Sequence, residues 1–166
     1  MRGFEKVKYY NKQIELPKRS TKNSAGYDFR AAETVIIPSI WGFVLRAIVQ
    51  KFTPNMVPYY IKPVLVPTGV KAYFEKDEVL KLYNRSSNPF KRGLILANSV
   101  GIIDSDYYNN EDNDGEIMFA FYNFFPFDVT IEAGEKIGQG VFSKFLLIDD
   151  DTATAERKGG FGSTDK

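Results

Sequence analysis

Short runs rich in aromatic and β-branched residues alternate with Gly, Pro, Asn and Asp along nearly the whole chain. That pattern predicts many short β-strands separated by turns. Strands are expected over 34–38, 41–47, 64–66, 71–74, 79–83, 93–96, 116–125, 129–131 and 140–145. The run 116–125 is too apolar for a strand with one wet face, so burial on both faces is expected. No segment of useful length shows strong helical periodicity, and only 88–91 predicts a short helical turn. Pro54, Pro58, Pro63 and Pro67 mark a loop-rich stretch of polyproline character. The chain from Asp149 onward is polar and opens on three consecutive aspartates. The expected organisation is one all-β domain over 1–148, a sandwich or barrel, with a flexible C-terminal arm over 149–166.

Composition narrows the chemistry. At 166 residues the chain is long enough for one domain with a proper core. A net charge of +1 gives no bulk electrostatic case for duplex nucleic acid or a membrane surface. The most apolar stretch, 40–49, is broken by Gly42 and Arg46 and is too short to span a bilayer. The first residues lack the apolar run of a signal peptide, so a cytoplasmic protein is expected. There is no cysteine and no histidine. Disulfides, thiolate nucleophiles, Cys- or His-held zinc and the commonest general base are thereby excluded. Hydrolytic chemistry would have to use carboxylates, with a hard cation such as Mg²⁺ if a metal is needed.

Five segments then come into view: 24–32 with Asp28, 84–87 with Arg85-Ser86-Ser87 and, further on, 93–98 ending at Asn98, then 100–107 with Asp104-Ser105-Asp106-Tyr107, 134–142 with Gln139, and the tail 157–166, Arg157-Lys158-Gly159-Gly160-Phe161-Gly162-Ser163-Thr164-Asp165-Lys166. The tail combines close-approach glycines, hydroxyls, cations and one ring, which suits a nucleoside phosphate, although glycine-rich ends are commonly just disordered. In this order the segments resemble the five motifs of the trimeric dUTP pyrophosphatase (dUTPase) family, most nearly its Gram-positive and phage members. The resemblance spans 24–164. It implies a jelly-roll-like, distorted β-barrel of the β-clip type and a homotrimer with sites at subunit boundaries. It also implies Mg²⁺-dependent hydrolysis of dUTP to dUMP and pyrophosphate.

The same resemblance assigns roles. Asp104 would hold and activate the attacking water, a general-base role worth about 10²–10⁴-fold. A carboxylate is ionised at neutral pH without special tuning. As an isolated tripeptide, Asp104-Ser105-Asp106 reads equally as a strand-end turn whose aspartates bond local backbone. Tyr107 would pack on the deoxyribose and leave no room for a 2′-hydroxyl. Gly101, Ile103, Asn98 and the backbone at Met118 would line the uracil pocket. Arg85, Ser86, Ser87 and Gln139 would bind phosphates, with Asp28 in support. Phe161 would stack on the base, with Gly162, Ser163, Thr164 and Arg157 around the γ-phosphate. No protein side chain is implied as a direct metal ligand; Mg²⁺ would be held mainly by phosphates and water.

Departures from the family pattern are Ser87 in place of a glycine, Lys136 in place of the commoner arginine, and Arg157 one residue nearer the ring. The turn after Tyr107 is expanded over 108–114, and 40–68 also looks enlarged. The related dCTP deaminase pattern is disfavoured because Ala120 stands where its catalytic glutamate would be. A non-catalytic module of the same fold is the other alternative, with the acidic 109–114 stretch as the surface for a regulatory protein partner. Its plainer reading is a solvated loop.

Overall fold

The structure is a computed structural model and describes residues 1–52, 61–155, 157 and 159. Twelve strands carry the fold: β1 Gly3–Lys6, β2 Lys18–Arg19, β3 Tyr27–Arg30, β4 Val35–Ile37, β5 Val64–Pro67, β6 Val70–Tyr73, β7 Glu78–Asn84, β8 Leu94–Leu96, β9 Gly101–Ile103, β10 Met118–Asn123, β11 Val129–Ile131 and β12 Lys136–Lys144. Two helices, α1 Ile40–Phe52 and α2 Ser87–Arg92, and a 3₁₀ turn at Ser105–Tyr107 interrupt them.

The largest sheet has the order β2-β3-β12-β7-β9, and a three-stranded sheet has the order β5-β10-β8. Two further pairs, β1-β6 and β4-β11, close the ends. Every named pairing is antiparallel. The sheets meet over a core of Phe29, Ile37, Val66, Leu80, Leu94, Ile117, Phe119, Phe121, Ile131 and Ile137, all fully buried. Phe119 and Phe121 stack at 6.3 Å with nearly parallel planes, and Phe29 closes on Phe119 at 5.6 Å. The mostly β class expected from the alternating pattern is the class observed.

Three local expectations are corrected. The segment 41–47 is not a strand; it lies inside α1. Its aromatic and β-branched density imitates a strand, but Trp41, Leu45, Ile48 and Phe52 recur at helical spacing. Ser39 caps the helix: its Oγ accepts from the Trp41 N–H at 3.2 Å, and its own N–H is held by Asp128 at 2.9 Å. The run 116–125 is shorter as a strand and is buried on one face only. Phe119, Phe121 and Asn123 point into the core, whereas Met118, Ala120 and Tyr122 stay half-exposed. Finally, Pro67 is not loop but the last residue of β5, opposite Met118. Pro54 and Pro58 lie outside the described residues.

Other elements were hidden by their composition. β12 begins at Lys136, well before 140, because Gly138 and Gly140 break the strand-like pattern while the backbone pairs on both sides with β3 and β7. The helical turn expected at 88–91 is present as α2. It stops at Gly93, whose φ of 61° needs a residue without a Cβ. No helix among the described residues is long and apolar enough to cross a membrane.

Candidate active site

Strand β7 lies between β12 and the edge strand β9 in the large sheet, and the candidate site residues collect at its two ends. At the C-terminal end, β7 delivers Arg85 and then Ser86 and Ser87 at the start of α2. Gln139 sits opposite Tyr83 of β7 on one side and opposite Asp28 of β3 on the other. Lys136 donates to Asp28 at 2.6 Å and Ser20 donates to the same carboxylate at 2.5 Å. Burial pushes the Asp28 carboxyl up, but the Lys136 and Ser20 hydrogen bonds and the charges of Lys136 and Arg85 outweigh it, leaving a net downward shift. Asp28 is therefore an anion already matched to cations. Arg85 also donates to the Lys136 carbonyl at 3.2 Å. Ser86 precedes the helix without using its hydroxyl as a cap. This end offers a guanidinium, two hydroxyls and an amide, a donor set for phosphate oxygens.

The other end carries Asp104. Strand β9 pairs with β7 so that Ile103 lies opposite Leu80. Asp104 follows in an extended conformation and leads into the 3₁₀ turn, yet its side chain makes no capping hydrogen bond. Its carboxylate is half-exposed and lines an open cleft of about 510 Å³ with Phe74, Lys76, Glu78, Ser105, Asp106 and Phe145. Glu78 is buried on the floor of this region and is bonded by Arg2. The turn returns the Tyr107 N–H to the Asp104 carbonyl at 3.1 Å. It also buries the Tyr107 ring, whose hydroxyl donates to the Glu116 carbonyl at 2.9 Å.

Asn98 is exposed on the chain between β8 and β9, beside the positive-φ Ser99. The Ala97 N–H bonds the Ala120 carbonyl at 2.8 Å, which continues the β8–β10 register and brings Asn98 towards the Met118–Phe119 backbone. Gly101 and Ile103 are buried in β9.

Arg157 rests on the carboxylates that flank the 3₁₀ turn. It donates to Asp104 at 2.6 Å and to Asp106 at 2.9 Å, and its guanidinium lies 5.9 Å from the Tyr107 ring centre. Both carboxylates are at least half-exposed. A pair of this kind is worth about 0.2–1 kcal/mol, which an incoming ligand readily displaces. Phe161, Gly162, Ser163 and Thr164 lie outside the described residues.

One chain does not bring the two ends together. Arg85 is five residues beyond Leu80, the partner of Ile103. At about 3.3 Å per residue that is about 17 Å. A water-orienting carboxylate and a donor to the same phosphoryl group need to converge within about 3–3.5 Å of the reacting atoms. Sequence reasoning also passed over Asn113 and Glu116, whose contacts to Tyr107 come from residues that read as turn and strand edge. Ala120, half-buried in β10, presents only a methyl group where a deaminase would need a carboxylate.

Comparison with known proteins gives a consistent result. The family model described as dUTPase matches residues 48–165. The deoxyuridine 5′-triphosphate nucleotidohydrolase of Lactococcus lactis is 50% identical over 167 residues, covering 99% of this chain and 97% of that protein. The corresponding protein of Cronobacter sakazakii is 33% identical, covering 90% and 86% respectively. Among solved structures, the dUTPase from Streptococcus mutans aligns with a TM-score of 0.73 at 46% identity, over 89% of this chain and 98% of that one. The dUTPase from phage phi11 of S. aureus aligns at a TM-score of 0.66 and 16% identity, over 93% and 97%, a likeness of fold. A variant of that phage enzyme coordinates a structural Mg(II) ion.

Proposed function

The chain belongs to the dUTPase family, and on that premise we propose that it hydrolyses dUTP to dUMP and pyrophosphate. The observation that carries this reading is the Asp104 carboxylate. It follows a strand, makes no capping bond to the turn it precedes, lines an open cleft and, among the described residues, is paired with Arg157 while itself half-exposed. A turn-forming aspartate would have spent its oxygens on local backbone. In this reading Asp104 orients a water for in-line attack on the α-phosphorus. The water oxygen bonds phosphorus, its proton passes towards the carboxylate, and the bond to the bridging oxygen breaks with pyrophosphate as leaving group. Consumption of dUTP in this way limits uracil incorporation into DNA and supplies dUMP.

Arg85, Ser86, Ser87 and Gln139 serve the phosphates, with Asp28 holding Lys136 and the neighbouring strand in place. Asn98 and the strand backbone at Met118, with Gly101 and Ile103, form the base pocket, and Tyr107 faces the sugar. No three carboxylates converge on one point among the described residues. The donor set thus suits Mg²⁺ arriving with the triphosphate rather than held in a protein cage. When bound, Mg²⁺ supplies neutralisation of the phosphate charge.

The separation of the two ends supports a homotrimer whose sites are shared between copies. A second observation supports self-association: one face of the β5-β10-β8 sheet has Leu65 opposite Ala120 and Ile95 opposite Tyr122, and among the described residues Leu65 and Ile95 on it are exposed. The chain after β12 carries no regular structure through Ala155 and is exposed, which supports an arm over 149–166 that orders over bound nucleotide, with Phe161 stacking on the base and Gly162, Ser163 and Thr164 near the γ-phosphate. Arg157 leaves the Asp104–Asp106 pair as the arm closes. The cytoplasm is the compartment in which this substrate is met.

The test is pyrophosphate release from dUTP, dCTP, dTTP and UTP, compared with Mg²⁺ present. Turnover confined to dUTP is expected; equal turnover of all four, or ammonia from dCTP, would overturn the reading. Truncation after Ala155 is expected to lower kcat/KM for dUTP by about 5- to 150-fold, the worth of one stacked base, with the fold intact by circular dichroism.

A further inference from the structure

The expanded segment 108–114 reads from composition as a solvated acidic loop. In the structure it is tied down at both ends and along its length. Lys71, buried in β6, donates to Asn109 and to Asp114, the latter at 3.0 Å. The Lys8 N–H donates to the other Asp114 oxygen at 2.8 Å. Asn110 Oδ1 accepts from the Asp112 and Asn113 N–H groups at 3.1 Å each, and Asn110 Nδ2 donates to the Tyr107 carbonyl at 2.9 Å. Asn109, Asp114 and Gly115 all take positive φ. A Cβ on Gly115 would lie 2.8 Å from the Tyr107 carbonyl oxygen, so the loop closes directly onto the residue it follows.

The point of this closure is Asn113. Its Nδ2 donates to the Tyr107 hydroxyl oxygen at 2.7 Å, while its Oδ1 accepts from Asn110 Nδ2 at 2.8 Å and from the Gly115 N–H at 3.2 Å. The Tyr107 hydroxyl in turn donates to the Glu116 carbonyl. Glu116 is itself buried, its carboxylate accepting from the Gly69 N–H and from Tyr9. The phenol oxygen therefore has one donor and one acceptor partner, both from the protein, and its single proton is spent internally. Burial pushes the Tyr107 phenol up, against the opposing pull of Asn113.

We infer that Asn113 is a positioning residue for sugar selectivity: the 108–114 loop is an internal clamp that holds Tyr107 at the one depth where its ring excludes a 2′-hydroxyl. This rests on the reading of the site as one that takes dUTP. A ring excludes a hydroxyl only if it cannot retreat, and misplacement by about 1 Å changes rates by up to about 10²-fold. A tyrosine held only by packing can retreat. One whose hydroxyl is bonded from both sides pays two hydrogen bonds to do so.

The experiment compares kcat/KM for dUTP with that for UTP in the wild-type protein and in Asn113→Ala, Tyr107→Phe, the double variant and Tyr108→Phe. Asn113→Ala is expected to lower the dUTP-to-UTP ratio by about five- to tenfold, the size of one neutral hydrogen bond, chiefly through better use of UTP. Tyr107→Phe, which removes both bonds of the hydroxyl, lowers it at least as much, and adding Asn113→Ala to it changes nothing further. Tyr108→Phe, which removes the loop's outer bonds to Glu5 and Asn109 and none to Tyr107, leaves the ratio at the wild-type value. An unchanged ratio in Asn113→Ala, or an equal further drop on the Tyr107→Phe background, overturns the inference. If Asn113→Ala does not fold, an unchanged ratio in Tyr107→Phe overturns it. Should the wild-type protein leave dUTP intact, it is the site reading that fails. The clamp is then judged by thermal unfolding, where strictly additive effects of the two substitutions overturn it.

Discussion

The two ends of β7 solve different problems with similar side chains. At the Arg85 end, the carboxylate of Asp28 is paired with Lys136, bonded by Ser20 and set within three strands in fixed register. At the Asp104 end, two carboxylates stand at least half-exposed on a short turn, and Arg157, from a segment without regular structure, spans both. The first end is finished before any ligand arrives. The second is held by contacts weak enough to give way. The difference is what the proposed roles rest on: a carboxylate already paired with a lysine is a poor base, whereas a half-exposed one beside a displaceable cation is available.

The strongest way to break this comparison is at Asp104. Asp104→Asn is expected to lower kcat by about 10²–10⁴-fold, the range for a positioned general base, while titration calorimetry shows nucleotide binding retained. Turnover within a few-fold of wild type would remove the reactive role from this end. Next in size is Arg85→Ala, expected to lower kcat/KM by about 10- to 150-fold, the worth of a charge-assisted hydrogen bond. Because the two ends lie about 17 Å apart in one chain, copies bearing Asp104→Asn and copies bearing Arg85→Ala should complement each other. Co-refolded mixtures are expected to exceed the mean of the separate variants in pyrophosphate release. A mixture equal to that mean places both ends in one site of one chain.

The smallest effect concerns stability. The folded Asp28 carboxyl titrates below its ordinary value of 3.8. Its contribution is thus complete above that value and is lost as pH falls through the lower folded value. Asp28→Asn is expected to cost about 1 kcal/mol or less at pH 7, as for a partly exposed pair. The gap in Tm from wild type should close as pH drops below about 4. A gap that stays constant through the acid range would show that Asp28 supports the sheet by shape and not by charge.

How much of this was legible in the chain depends on the range of the interaction. The strands around 79–83, 129–131 and 71–74 could be read because apolar alternation and turn residues are local signals. The segment 41–47 misled because residue type outweighed spacing, although Ser39 and the recurrence at Trp41, Leu45, Ile48 and Phe52 carried the helical signal. β12 was under-read because Gly138 and Gly140 are there for neighbouring rings, which no local pattern reports. A Cβ on Gly140 would sit 2.7 Å from the Phe29 ring.

The site divides in the same way. The order of the motifs, through the family resemblance, was enough to nominate Asp104, Tyr107, Arg85 and Gln139 as candidates, and composition alone excluded thiolate and histidine chemistry, since absence of a residue type needs no fold to interpret. Folding alone decided that Asp28 is neutralised by Lys136, that Arg157 rests on Asp104 and Asp106, and that an acidic loop turns inward to grip Tyr107. The first two are contacts between residues far apart in the chain, and the loop, though its bonds to Tyr107 are local, is drawn inward by the distant pair Lys71 and Asp114. Such contacts are set by strand register and by the exchange of solvation for a specific partner, quantities that exist only once the sheets have closed.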